Sequence, residues 1–402
     1  MNKRLALPIF LTVFTDLIGF GMIITFLPLY AGQFGASNSQ AAYLMAAFSA
    51  AQFLMAPFWG RLSDRYGRRP ILITSLSGAI LGYLVSAHAP SLAVLFAARL
   101  FTGAMAGNLS AVQAYLADIT TPENRAKAMG LFGAAFGIGM ILGPALGGAL
   151  VGHQGTTHDF VLPFYVAAGL SLTALLMTLF WLKESLSPEI RATLASRPAE
   201  SRWASLHRAL RRPWSGFLIA VFFLLTFAFA GVEMTFVLWA SDRLAWGPSQ
   251  IGYAFAGIGL VAALIQGGMT GRLTKKFGEP LLLTASALIT SVGIALIPMN
   301  LGVHLVLLGL LVMAVGKSLA LPSILWLISR SAPVDEQGGT LGASQSSSSL
   351  ARTLGPAWAG WGIGLWGLNF PFWSGVFFMG LMFLILAPNK RGLETGLASR
   401  PV

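Results

Sequence analysis

No cysteine occurs in the 402 residues, which excludes disulfide scaffolds and thiolate metal sites. Charge is scarce as well: Asp, Glu, Lys and Arg make up 10% of the chain, where a soluble domain carries about 25%. The five histidines, His88, His153, His158, His207 and His304, are scattered without the spacing of a metal site or a catalytic triad. No G-x-x-x-x-G-K-[ST] loop for nucleotide phosphates is present. The longest hydrophilic stretch, KESLSPEIRATLASRPAESRWASLHRALRRP at 183–213, is too short for a receptor's soluble domain. These absences argue against an enzyme, an ATP-driven pump in one chain and a receptor, and no cofactor or metal is implied. A channel would need a polar row through its helices, which isolated charges do not supply.

What is present instead is apolar sequence, 55% of the residues. Stretches of roughly 20 residues can cross a bilayer, and here they fall near 5–31, 40–60, 71–90, 91–117, 126–152 and 160–182, then near 214–240, 249–271, 280–299, 302–330, 338–366 and 367–388. They predict an all-α integral membrane protein with twelve transmembrane helices in two pseudo-symmetric six-helix bundles. The expected boundaries are 1–182 for the N-terminal bundle, 183–213 for a cytoplasmic linker, and 214–402 for the C-terminal bundle with a short cytoplasmic tail. The first run follows MNKR without a small-residue cleavage site, so it reads as a retained span rather than a signal peptide. Within the linker, SRWASLHRALRR has the pattern of an amphipathic helix on the membrane surface.

The formal charge of +12 does not point to nucleic acid, because of where the charge sits. Of the 26 Lys and Arg, 22 fall on one side of the expected topology, and Arg243 alone falls on the other. The positive-inside rule then places both termini and the linker in the cytoplasm of a multi-pass cell (inner) membrane protein. Trp181, Trp214, Trp239 and Trp246 stand near expected span ends, as an interfacial aromatic belt would have them.

The chain repeats itself. GRLSDRYG at 60–67 returns as GRLTKKFG at 271–278, and GPALGG at 143–148 returns as GPAWAG at 355–360. Two matches at nearly one offset indicate duplication. Each half has an even number of spans, so both face the same way, which is the parallel-repeat arrangement of a rocking transporter with its site between the halves.

Five charges interrupt the spans: Asp16, Arg99, Glu233, Lys317 and Arg352. Each costs about 2.5 to 3.5 kcal/mol at mid-bilayer on insertion scales. Asp16 and Glu233 lie in the first helix of each half, and Arg99 and Lys317 in the fourth. An acid held in protein at low dielectric is drawn toward its neutral form, which suits a proton carrier, while a neighbouring Arg99 or Lys317 opposes that shift. The four are candidates for proton coupling; the alternative for each is a structural ion pair or a snorkelling end. Gln52, Asn108, Gln113, Gln266 and Gln345 are uncharged polar residues in spans, candidates for substrate contacts or for helix-to-helix hydrogen bonds. Phe236 and Trp326, among many aromatics, and Arg352 complete the substrate-binding candidates.

The loop GRLSDRYGRRP places Asp64 among four arginines between Gly60 and Gly67. The acid is expected near the start of the third span, on the positive end of its dipole, with the glycines allowing close turns and the arginines able to pair with Asp118 or Glu123. GAAFGIGMILGPALGGAL at 133–150 is a glycine-rich helix bent by Pro144, suited to a hinge or seal.

With these motifs in hand, the chain resembles the major facilitator superfamily, and within it the twelve-span drug/proton antiporters that include tetracycline exporters. GRLSDRYGRRP is similar to the superfamily's signature between helices two and three. DLIGFGMIITFLPLY, ARLFTGAMAG and GIGMILGPALGG resemble the signatures of helices one, four and five. The resemblance implies proton-linked roles for Asp16 and Arg99, and gating by Gly60, Asp64, Arg65, Gly67 and Arg68 with Asp118. It also implies an extracellular-side seal by Gly143, Pro144, Gly147 and Gly148. Tetracycline exporters carry a histidine in helix eight where Ala262 stands here, with Gln266 nearby, and an acid in helix nine where LLLTASALITSVGIALIPM has none. Glu233 is the residue available for that work. The expected function is export of an amphipathic small molecule or drug in exchange for protons. The alternative is proton-coupled transport of a metabolite such as a sugar, or of a lipid, on the same fold. The expected partners are substrate, protons and the lipid bilayer, with no nucleic acid, and the expected state is a monomer.

Overall fold

The computed structural model describes residues 3–106, 109–120, 138–139, 141–151, 157–186, 210–333 and 337–398. Most of the 183–213 interval, including residues 201–209 of the expected surface helix, lies outside the described residues. The secondary structure described is helical: α1 Lys3–Ile24, α2 Leu27–Gly32, α3 Asn38–Tyr66, α4 Arg68–Ala87, α5 Leu92–Met105 and α6 Leu109–Asp118. Next come α7 Ile141–Val151 and α8 Thr157–Phe180. The chain continues with α9 Pro213–Leu244, α10 Pro248–Leu264, α11 Thr270–Phe277, α12 Glu279–Leu296, α13 Val303–Ser331, α14 Gln337–Trp366 and α15 Phe370–Ala398. Among the described residues there is no strand, and eight helices are long and apolar enough to cross a membrane. A described helix falls in each of the twelve apolar intervals of the sequence.

The chain divides into two compact units, Met1–Ala199 with Trp246–Ala256, and Glu200–Ala245 with Gly257–Val402. In the first, α4 packs on α8, α1 on α8, and α5 on both α3 and α4. In the second, α12 packs on α13 and α15, and α9 on α14 and α15. The pairs α4–α8 and α12–α15, α1–α8 and α9–α15, and α4–α5 and α12–α13 correspond, so the duplicated sequence builds duplicated packing.

Several spans are interrupted, and each break has side chains answering its backbone, as hydrocarbon demands. At the end of α5, Trp59 Nε1 donates to Ala104 O at 2.6 Å, Ser75 Oγ to Met105 O at 2.6 Å and Gln52 Nε2 to Ala106 O at 3.1 Å. Between α1 and α2, Thr25 Oγ1 donates to Met22 O at 2.8 Å. Between α10 and α11 the backbone widens into a π turn, Ile265–Met269, followed by Thr270 Oγ1 donating to Ile265 O at 2.9 Å.

Two sequence expectations change. Trp239 is not a belt residue: it is fully buried, with Nε1 donating to Asn369 Oδ1 at 2.8 Å, because α9 runs on to Leu244 and carries it inside. Asp64 does not sit at the start of α4. The apolar run ends near residue 60 but α3 continues to Tyr66, so Asp64 occupies its last turn and Gly60 is helical. The turn is made by Gly67 alone, at φ 106°, in the region open to glycine.

Helices approach closely where α12 meets α13. A Cβ on Gly293 would strike Met313 N and lie 2.8 Å from Gly309 O. Gly293→Ala is therefore expected to lower stability in detergent by about 1–3 kcal/mol through overpacking. Gly380→Ala on α15, with nothing within 4 Å of its added Cβ, is expected to be neutral or slightly stabilising, by up to about 1 kcal/mol. Thermal unfolding of the two purified variants checks both signs.

Candidate functional site

In the first unit the loop arginines form a network rather than a free cluster. Arg68 is buried, with a side-chain exposure of 7%. Its Nη1 donates to Asp64 Oδ1 and, at 2.7 Å, to Ser63 Oγ; its Nε donates to Asp118 Oδ2 at 3.2 Å. Ser185 Oγ donates to the same Asp118 oxygen at 2.9 Å. One guanidinium thus joins the C-terminal ends of α3 and α6. It also offsets the unfavourable placement of Asp64 and Asp118, both acids at helix C-termini where the dipole is negative.

The positive end of α4 is served by another residue, Glu184. Its Oε1 accepts the backbone N–H of Arg68 at 2.9 Å and its Oε2 that of Arg69 at 3.1 Å. Glu184 is the acid that the dipole argument assigned to Asp64. Its signal in the sequence was the acid of KES directly after the sixth apolar run. Arg69 completes the corner by donating to Thr178 O at 3.3 Å and Leu179 O at 2.6 Å, carbonyls at the end of α8. Arg65 packs on Tyr66, 5.5 Å from the ring centroid. The expected pairing with Asp118 is present; Glu123 lies outside the described residues.

The glycines of α7 are contact surfaces. Cβ atoms added at Gly143 and Gly147 would meet Ile18 O and Thr25 Oγ1, each at 2.8 Å, and Pro144 Cδ lies 3.1 Å from the Cβ position of Gly21. Gly148 faces Gly252, with a Cβ-to-Cα distance of 2.9 Å, and Ser249 Oγ donates to Gly148 O at 3.0 Å. These contacts belong to the first unit, which includes 246–256.

The charges within the spans are handled differently in the two units. Arg99, on α5, is 2% exposed, with its guanidinium 4.4 Å from the ring centroid of Phe48, which stacks on Phe20. Asp16 lies on α1, but its side chain is outside the described residues. In the second unit Lys317 on α13 pairs with Glu233 on α9, Nζ to Oε2 at 3.9 Å, and lies 3.2 Å over the ring of Phe229. Both are open in part, with side-chain exposures of 40% and 20%. Arg352 on α14 donates to Ser348 Oγ and Ser349 Oγ, each at 3.0 Å. Ser348 and Ser349 were not singled out from the sequence, although the run SSSS just before Arg352 is visible there, and Phe229 was one of many aromatics in the seventh apolar run.

The remaining candidates scatter. Gln52 is occupied with the α5 break. Asn108 lies outside the described residues, as does the side chain of Gln113. Gln266 is exposed in the π turn and Gln345 is exposed on α14. Phe236 is 1% exposed and stacks on Trp239, and Trp326 is half-exposed with Arg330 5.5 Å above its ring. No group of three or more His, Asp or Glu residues is placed to hold a metal ion among the described residues.

A family model described as the Major Facilitator Superfamily matches residues 9–356 and 234–401. The class C tetracycline resistance protein of Escherichia coli is 33% identical over 351 residues, 86% of either chain. Multidrug resistance protein 2 of Bacillus subtilis (strain 168) is 30% identical over 361 residues, covering 89% of this chain and 88% of that one. Among solved structures, the human organic anion transporter MFSD10 (TETRAN) superposes with a TM-score of 0.70 at 26% identity, covering 96% of this chain and 99% of that one.

Removing the shared cation of the corner network leaves two acids without their partner. Arg68→Gln is expected to destabilise the protein by about 2–3 kcal/mol, less than a fully buried pair because Asp64 is 45% exposed. A double-mutant cycle with Asp118→Asn is expected to show coupling; additive losses in thermal unfolding would remove Arg68–Asp118 as a stabilising contact.

Proposed function

The chain belongs to the Major Facilitator Superfamily, and on that premise we propose that it is a secondary transporter exporting amphipathic small molecules in exchange for protons by alternating access. The observation that carries the proposal is the Glu233–Lys317 pair. An acid and a base within spanning helices, 3.9 Å apart and partly open, form a device in which one proton changes the charge balance. With Glu233 ionised, Lys317 is held by it; with Glu233 protonated, Lys317 is released from the pair and must find another counter-charge or lose its own proton. Asp16 on α1 is the corresponding acid of the first half, and Arg99 the corresponding base.

In this cycle Asp16 and Glu233 take up protons from the outside as substrate leaves, and lose them to the cytoplasm as new substrate binds. The Arg68 network with Asp64 and Asp118 acts as a cytoplasmic latch, and the α7 glycines with Pro144 as the seal on the opposite side. The low identity and wide coverage of the tetracycline and multidrug resistance relatives support export without fixing the substrate. Ala262 and the acid-free stretch 281–299 weigh against tetracycline itself. The protein is taken to work as a monomer in the inner membrane with both termini cytoplasmic, the reading favoured by its loop charges.

The test uses everted membrane vesicles with an acidic lumen and an internal pH dye, challenged with a panel of antibiotics and cationic and anionic dyes. A transported compound is expected to evoke alkalinisation of the lumen, abolished in Asp16→Asn and reduced at least about ten-fold in Glu233→Gln. Substrate flux that is unchanged when the pH gradient is collapsed would sink the antiport reading.

A further inference from the structure

The spans of the second unit hold more positive charge than they neutralise. Glu233 and Lys317 answer one another, while Arg352 has no carboxylate within ion-pair distance among the described residues. Arg352 stands 15 residues from Gln337 and 14 from Trp366, which at about 1.5 Å per residue is roughly 20 Å from either end of α14. With α14 centred in a hydrocarbon core about 30 Å thick, a guanidinium there stands about 15 Å from either edge, beyond the snorkelling reach of its side chain.

The residue is nevertheless exposed, and so is Gln345, seven positions earlier on the same helix face. Acyl chains against that face would cost about 2.5 to 3.5 kcal/mol for the arginine alone. A face that exposes an arginine and a glutamine suits water better than lipid. The composition of α14 agrees: at 30 residues it is long enough to span, yet its SQSSSSLAR run keeps it out of the set apolar enough to cross on hydropathy.

Arg352 is also positioned. Two of its N–H groups go to Ser348 and Ser349, and buried Ser348 lies 3.5 Å, oxygen to oxygen, from Thr226 on α9. A guanidinium has five N–H donors, so three remain for a ligand, in a fork that matches a carboxylate or similar oxyanion. An exposed cation anchored by hydroxyls, with no carboxylate partner among the described residues, has the character of a binding group without its counter-charge.

We propose that Arg352, with Gln345 beside it, binds an anionic group of the transported molecule, so that preferred substrates are amphipathic acids or zwitterions rather than simple cations. The proposal rests on the transporter reading above, since the bound molecule is taken to be cargo. It is tested by binding, which needs no proton coupling. Purified protein in nanodiscs is titrated by fluorescence anisotropy with rhodamine 110, which has a free carboxylate, and with rhodamine 123, its methyl ester.

The acid is expected to bind about ten-fold more tightly than the ester, the gain of one charge-assisted hydrogen-bonded contact. Arg352→Gln should bring the acid to the ester's affinity and leave the ester unchanged, which also reports an intact fold, and Arg352→Lys should restore part of the preference. Gln345→Leu, which removes no charge, should weaken the acid selectively. Equal affinity for the two dyes, no saturable binding of either, or an equal loss for both in Arg352→Gln would overturn the proposal. An acid preference that depends on Arg352, in a protein whose dye flux ignores a pH gradient, would uphold this site and remove the antiport reading.

Discussion

Hydrocarbon tolerates neither an unanswered charge nor an unanswered backbone amide, and the rest of this structure follows from how that constraint is met. At the break after α5, three donors from α3 and α4, Gln52, Trp59 and Ser75, meet three successive carbonyls. The break is thereby made compatible with a span, and it ties three helices of the first unit together. At the α3–α4 turn, beyond the apolar run, the demand is the helix dipole: Asp64 and Asp118 stand at negative helix ends, and the buried Arg68 lies between them. Stability and the candidate gate are here the same contacts.

Charges in the spans receive three different answers. Arg99 is fully covered and rests on an aromatic face; Lys317 shares itself between Glu233 and Phe229; Arg352, among the described residues, has hydroxyls and no carboxylate. The series runs from closed to open. Arg99 is buried, with its Nε lacking a hydrogen-bond partner among the described residues. Arg352, exposed and bonded to two hydroxyls, keeps N–H donors for a ligand, and it is the proposed carboxylate site.

Much of the fold was legible because the signals that carry it are collective. Twelve apolar intervals, a repeated octapeptide and a lopsided loop charge each average over many residues, so a boundary error in one span does not disturb the rest. The errors were local. Apolarity ends at residue 60, but α3 does not, because Ser63, Asp64 and Arg68 supply side-chain partners that let the helix leave the bilayer intact. Trp239 looked interfacial because hydropathy marks where a span ends and not where its helix ends. The site was legible only by residue type. The spacing of Glu233 and Lys317, 84 positions apart, puts them on helices of one unit but does not give contact. Glu184 and the serines under Arg352 act through hydrogen-bond geometry, for which the sequence holds no pattern.

The second copy of the loop motif shows what duplication leaves free to diverge. GRLTKKFG has Lys275 where the first copy has Asp64, and α11 carries no buried residue. Among the described residues no acid pairs with Arg272, Lys275 or Lys276, and Lys276 rests 5.2 Å from the ring of Phe277. Without an acid in the last turn, a buried arginine has nothing to neutralise there, so the copy retains only its glycine turn at Gly278, φ 73°, and its topogenic charge. The first unit has a closed corner network and a covered Arg99; the second has an open corner and cations in reach of water. The latch proposed for the first copy and the binding charge proposed for the second would account for both departures from the repeat.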